Sequence, residues 1–130
     1  MATIFTKIIN GEIPCYKIAE NEKFFAFLDI NPVSKGHTLV VSKLENDYIF
    51  DLNDELLSEI LIFAKKIAKA LDRTMDCERT AISVIGIEVP HTHVHLIPIK
   101  TMGDYSFSKP KLKLSKEEFE EIAAKIRAAL

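Results

Sequence analysis

The sequence predicts an α+β domain in which a mostly antiparallel sheet of about five strands packs under one long helix, with a second helix at the C-terminus. Three observations carry this. Five short runs rich in β-branched and aromatic residues are bounded by turn residues. Residues 54–72 repeat apolar side chains at helical spacing. The elements run short helix, hairpin, strand, long helix, two strands, helix, which is not a strict β-α-β alternation.

Each element has its own signal. TIFTKIIN (3–10) reads as a short helix ending at Gly11, a residue suited to a left-handed cap, and Pro14 forbids its continuation. YKIAE (16–20) and KFFAFLDI (23–30), separated by Asn21-Glu22, read as a β-hairpin. NPVSKG (31–36) is a turn cluster, and HTLVVSK (37–43) is a strand. In the long helix, Leu57, Ile60, Leu61, Ala64, Ile67, Ala68 and Leu71 form the apolar stripe. Asn53 caps it, and Asp54 and Glu55 suit the positive end of its dipole. RTAISVIGI (79–87) and residues 91–99 are two further strands. The last helix opens on the capping box Ser115–Glu118, with Phe119, Ile122, Ala123 and Ile126 on one face.

The 130 residues fit one domain, 1–130, whose C-terminal helical extension covers about 104–130. No repeat or low-complexity tract interrupts it. A hydrophobic content of 48% argues against disorder. The net charge of −2, from 17 basic and 19 acidic residues, provides no basic footprint for a nucleic-acid polymer and no polybasic membrane patch. An anionic substrate must therefore be held by local donors. Cys15 and Cys77 form no CxxC and read as two thiols in a reducing compartment. MATIFTKIINGEIP has no apolar run of signal-peptide length and no window approaches a membrane span, so the expectation is a cytoplasmic protein.

HTHVHLIP (91–98) is the chemical signal. Three of the four histidines, His91, His93 and His95, alternate along one strand and so share a face, while Val94 and Leu96 point to the core. Strand rise separates neighbours by about 6.6–6.8 Å and the outer pair by about 13 Å. That weighs against one ion held by all three, because zinc needs each nitrogen at about 2.0–2.1 Å. A two-histidine metal site with a third ligand elsewhere, a solvated polar face and phosphate chemistry remain open. In the last, one imidazole is the nucleophile and its neighbours donate to phosphate oxygens or the leaving group.

HTHVHLIP resembles the His-x-His-x-His-x-x signature of the histidine triad nucleotide hydrolases and transferases. IFTKIINGEIP (4–14), FAFLDINPVSKGHTLVVSK (25–43) and the long helix extend the resemblance over roughly residues 3–100. It implies the histidine-triad fold and a nucleotide site. His93 matches the histidine that attacks the α-phosphorus, held by a backbone carbonyl on its other nitrogen. His91 and His95 match the flanking histidines on the phosphate and leaving-group side. His37, in GHTLV, matches a fourth, supporting histidine. Ile4, Phe5, Phe27 and Ile30 match base-contacting positions, and Asp29 matches the acid that binds the ribose hydroxyls. Glu88 and Val89 fall on the phosphate approach, where the Glu88 N–H can face a phosphate oxygen.

Two departures stand out. Members usually carry an Asn on the strand before the triad and a Gly-rich loop ending in Gly-Gln. Here AISVIGIEVPH (81–91) is shortened, has no Asn, and reads Gly86-Ile87 at that position, with Ser83 as a possible substitute donor. Some members bind structural zinc through an N-terminal CxxC and a histidine beyond the third strand. Here those places read Thr3-Ile4-Phe5-Thr6 and Ser42-Lys43-Leu44, so no metal and no cofactor is expected.

The resemblance implies a hydrolase of nucleoside 5′-monophosphate derivatives, purine phosphoramidates or adenylates, working through a nucleotidyl-histidine. Alternatives are dinucleoside polyphosphate hydrolysis and a nucleotide-binding module with little catalysis. The partner it implies is a purine nucleotide or nucleotide conjugate, and the assembly is a homodimer joined across the long helix and an edge strand.

Overall fold

The computed structural model describes residues 2–130. Its elements are α1 (Ile4–Ile9), β1 (Lys17–Glu20), β2 (Phe24–Leu28), β3 (Thr38–Ser42), α2 (Asp54–Thr74), β4 (Arg79–Ser83), β5 (His93–Ile99) and α3 (Lys116–Ala128). Short 3₁₀ turns occupy Ile49–Asp51 and Met102–Tyr105. The five strands form one antiparallel sheet in the order β1-β2-β3-β5-β4.

Both faces of the central strands are covered. On one face Phe24, Ala26, Leu28, Val40, Val94 and Leu96 pack against Ile60, Ala64, Ile67 and Leu71 of α2 and Phe119, Ala123 and Ile126 of α3. On the other, Phe25, Phe27, Leu39 and Val41 pack against Phe5 and Ile8 of α1. Two-sided burial explains why β2 and β3 read as continuous apolar runs rather than alternating ones.

The caps form as the sequence predicts. Asn53 Oδ1 accepts from the Leu56 N–H at 2.8 Å at the head of α2. Ser115 Oγ accepts from the Glu118 N–H at 3.1 Å, and Glu118 Oε1 accepts from the Ser115 N–H at 3.2 Å. Asn21 Oδ1 accepts from the N–H groups of Lys23 and Phe24, closing the β1–β2 turn.

Four expectations are corrected. The strand expected over 79–87 stops at Ser83, and Gly86 beyond it has φ +72°, a left-handed turn conformation that a continuing strand would not adopt. The strand expected over 91–99 begins at His93, because the preceding Thr92 N–H is taken by the Asn46 carbonyl at 2.6 Å. β2 ends at Leu28 rather than residue 30, since Asp29 Oδ1 turns back to accept from the Asn31 N–H at 2.8 Å. Leu61 leaves the buried stripe of α2 and is 43% exposed, while Ala70 takes a buried place.

Gly36 is fixed by two constraints. Its φ is +90°, and a Cβ there would lie 2.8 Å from the Met75 side chain. This tight turn delivers His37 to the edge of β3. Among the described residues, no helix is long and apolar enough to cross a membrane.

Candidate active site

The site grows from strand register. In an antiparallel pair, directly opposed residues point to the same face. His93 lies opposite Val41 and His95 opposite Leu39, so both imidazoles stand on the Phe25–Phe27 side of the sheet. Phe5 of α1 packs on that side, with its ring 4.9 Å from His93 and 5.6 Å from His91, centroid to centroid. Ser83 lies opposite His95 on β4, which puts its side chain on the histidine face too.

Hydrogen bonds fix the proton positions. His93 Nδ1 lies 2.7 Å from the His91 carbonyl, and a carbonyl only accepts. Nδ1 therefore carries the proton and Nε2 the free lone pair. Burial lowers the His93 pKa, opposed by that same hydrogen bond.

His37 begins a second chain. Its Nδ1 accepts from the Val33 N–H at 3.1 Å, so its proton sits on Nε2. Nε2 donates to His95 Nδ1 at 3.0 Å, which leaves His95 with its own proton on Nε2. Burial, reinforced by His95 and Lys111, pulls the His37 pKa to about 3. Burial and then His93 pull His95 to about 4. Both rings are neutral near pH 7, so the 3.6 Å approach of Asp29 to His37 is no ion pair. Burial raises the Asp29 pKa, against the Asn31 N–H and the charge of Lys111.

His91 has a different place. It is wholly buried. Its Nε2 donates to the Ser42 carbonyl at 2.6 Å, and its Nδ1 accepts from the Thr3 hydroxyl at 2.6 Å. Both nitrogens are used, so the ring ties the head of α1 to the end of β3. Its carbonyl is the part that reaches His93. Thr3 and Thr6 both hydrogen-bond Glu45, Thr3 through its backbone N–H.

Asp29, His37, His93, His95 and Glu88 line one pocket of about 360 Å³. The other residues expected in the site lie outside that lining. Phe27 packs beneath against Phe5, with centroids 5.8 Å apart, and Val89 packs on the same cluster. Ile4 and Ile30 are largely exposed, at 49% and 63%. Sequence reasoning missed Phe107 and Lys111, which line the pocket from the segment between β5 and α3. No motif marks them.

Asp29, His37 and His95 offer ligand atoms within 4.8 Å of one another. The proton positions oppose a metal ion there. His37 Nε2 is protonated and spent on His95, and moving its proton to Nδ1 would set it against the Val33 N–H.

Residues 10–102 match the family model described as HIT domain. An uncharacterized HIT-like protein of Borreliella burgdorferi is 38% identical, over 95% of this chain and 94% of that protein. An adenosine 5′-monophosphoramidase of Schizosaccharomyces pombe is also 38% identical, over 98% of this chain and 100% of that protein. Among solved structures, a HIT-like protein from Bartonella henselae superposes with a TM-score of 0.83 at 32% identity, covering 98% of this chain and 96% of that one. A zinc-bound histidine triad family protein from Mycobacterium smegmatis also has a TM-score of 0.83, at 27% identity, covering 99% and 93%. The antiparallel sheet with its buried histidine row and the match over most of the sequence lead to one conclusion: the chain belongs to the histidine triad (HIT) family.

Proposed function

We propose that the chain hydrolyses purine nucleoside 5′-monophosphate derivatives, phosphoramidates or adenylates, through a nucleotidyl-histidine intermediate on His93. The observation that carries this is the 2.7 Å bond from His93 Nδ1 to the His91 carbonyl, which leaves Nε2 as an oriented lone pair. The 38% identical phosphoramidase supports the substrate class.

Nε2 of His93 attacks the α-phosphorus, and the bond from phosphorus to the leaving group breaks with its electron pair. His95 Nε2–H gives its proton to the departing amine of a phosphoramidate, or to the departing oxygen of an adenylate. Water then attacks phosphorus, the P–N bond returns its electrons to His93, and the water's proton restores His95. The monophosphate leaves. His37 positions His95 and fixes its tautomer. Asp29 accepts from the ribose hydroxyls, the exposed Ile4 and Ile30 flank the base side, and Phe5, Phe27 and Val89 form the apolar cluster behind it. The Glu88 N–H faces a phosphate oxygen. No metal enters the scheme.

The test is incubation with adenosine phosphoramidate, following AMP release beside a His93→Ala control. AMP release lost in the variant supports the reading. Nucleotide binding without turnover by the wild type favours a binding module. Activity lost to a chelator and restored by zinc favours a metal hydrolase.

The assembly belongs to the same proposal. Tyr48, Phe50, Leu61, Ile82 and Ile85 are exposed apolar side chains around a cleft of about 380 Å³ beside α2, next to the edge strand β4. A second copy of the chain covers this face. Sedimentation of the wild type should report a dimer and Leu61→Glu a monomer; a monomeric wild type contradicts this assembly.

A further inference from the structure

The pocket has a second wall, the strap of residues 102–112 between β5 and α3. It is tied at both ends. The Tyr105 hydroxyl donates to the Ile82 carbonyl at 3.0 Å, and the Leu112 N–H donates to the Pro32 carbonyl at 2.9 Å. Between the ties, Phe107 turns its ring edge-on to His95, with centroids 5.0 Å apart. Lys111, from the same segment, also lines the pocket. Its Nζ donates to the Phe107 carbonyl and lies 5.7 Å from that ring's centroid.

Charge makes the position significant. Among the described residues lining the pocket, Asp29 and Glu88 are acidic, the histidines are neutral, and Lys111 is the one cation. An anionic phosphate brought to His93 would otherwise meet two carboxylates. The approach at 84–90 has no Asn or Gln side chain to donate to it. We propose that Lys111 binds the phosphate group of the nucleotide, supplying from the strap the donor and charge that the shortened approach lacks. An ammonium has three N–H donors. One is held by the Phe107 carbonyl, which sets its direction, and two remain for phosphate oxygens. Phe107 closes the same side against water. This inference rests on the nucleotide reading above.

The test is calorimetric titration of the full chain with AMP and with adenosine, for the wild type, Lys111→Met and Lys111→Arg. The wild type should prefer AMP. Lys111→Met should weaken AMP about 10- to 100-fold while leaving adenosine within about twofold, and Lys111→Arg should retain most of the AMP affinity. Retained adenosine binding shows that the variant is folded. Equal losses for both ligands, or unchanged AMP affinity, overturn the proposal and leave Lys111 a partner of Asp29 or of its own strap. A wild type that binds AMP no better than adenosine overturns it as well. A wild type that binds neither overturns the nucleotide reading itself, and this proposal with it.

Discussion

His37 Nε2 lies 3.0 Å from His95 Nδ1, and the direction of that hydrogen bond is set by the Val33 N–H on the far side of His37. One backbone amide thus determines which nitrogen of His95 carries a proton. His37→Ala should release His95 to either tautomer and lower kcat by about tenfold or more, with KM little changed. It should also cost about 1–3 kcal/mol of stability, because the part-buried Val33 N–H and the buried His95 Nδ1 lose their partner. Steady-state kinetics and urea denaturation of the variant check both.

The same histidines make stability depend on pH. His37 and His95 are held at about 3 and about 4, below the unfolded value of about 6.5. Below pH 6.5 the unfolded chain binds protons that the folded chain refuses. Their contribution is therefore full above pH 6.5 and is lost as pH falls toward 4, with a slope of up to about 1.4 kcal/mol per pH unit for each group. Denaturation midpoints measured from pH 7 to pH 4 should fall. A flat profile contradicts the buried neutral pair.

Thr3 does two jobs through one hydroxyl: it caps α1 by accepting from the Thr6 N–H at 3.1 Å and donates to His91. Thr3→Val should destabilise the fold by about 1–3 kcal/mol and lower kcat modestly, because the His91 carbonyl orients His93. Thr3→Ser should restore both. Thermal melts and initial rates for the two variants decide the matter.

Gly36 has a positive φ and a side chain of Met75 against it. Gly36→Ala should cost about 1–3 kcal/mol and displace His37, lowering kcat alongside stability. Recovery in a Gly36→Ala, Met75→Ala double variant would separate the packing clash from the backbone cost.

The sheet, both long helices and their caps were legible in the sequence, because period and cap chemistry are local. The shared face of His93 and His95 was legible for the same reason. What His91 does was not. Its partners lie 88 and 49 residues away in the chain, and period 2 shows only the side it faces. The true end of β4 at Ser83 was hidden because VIGI has good strand composition, although the chain leaves the ladder before the left-handed Gly86. Phe107 and Lys111 were invisible for a different reason. They reach the pocket through two anchors, at Ile82 and Pro32, that no spacing in the strap announces.

The proposed chemistry turns on His93 Nε2 as the nucleophile. The most direct measurement is rapid-quench mass spectrometry of the wild type with an adenosine phosphoramidate, under conditions that preserve P–N bonds. One adenylyl group is expected on the peptide carrying His93, decaying as AMP appears, and none in His93→Ala. Turnover with no adduct at any time, or an undiminished rate in His93→Ala, would contradict it.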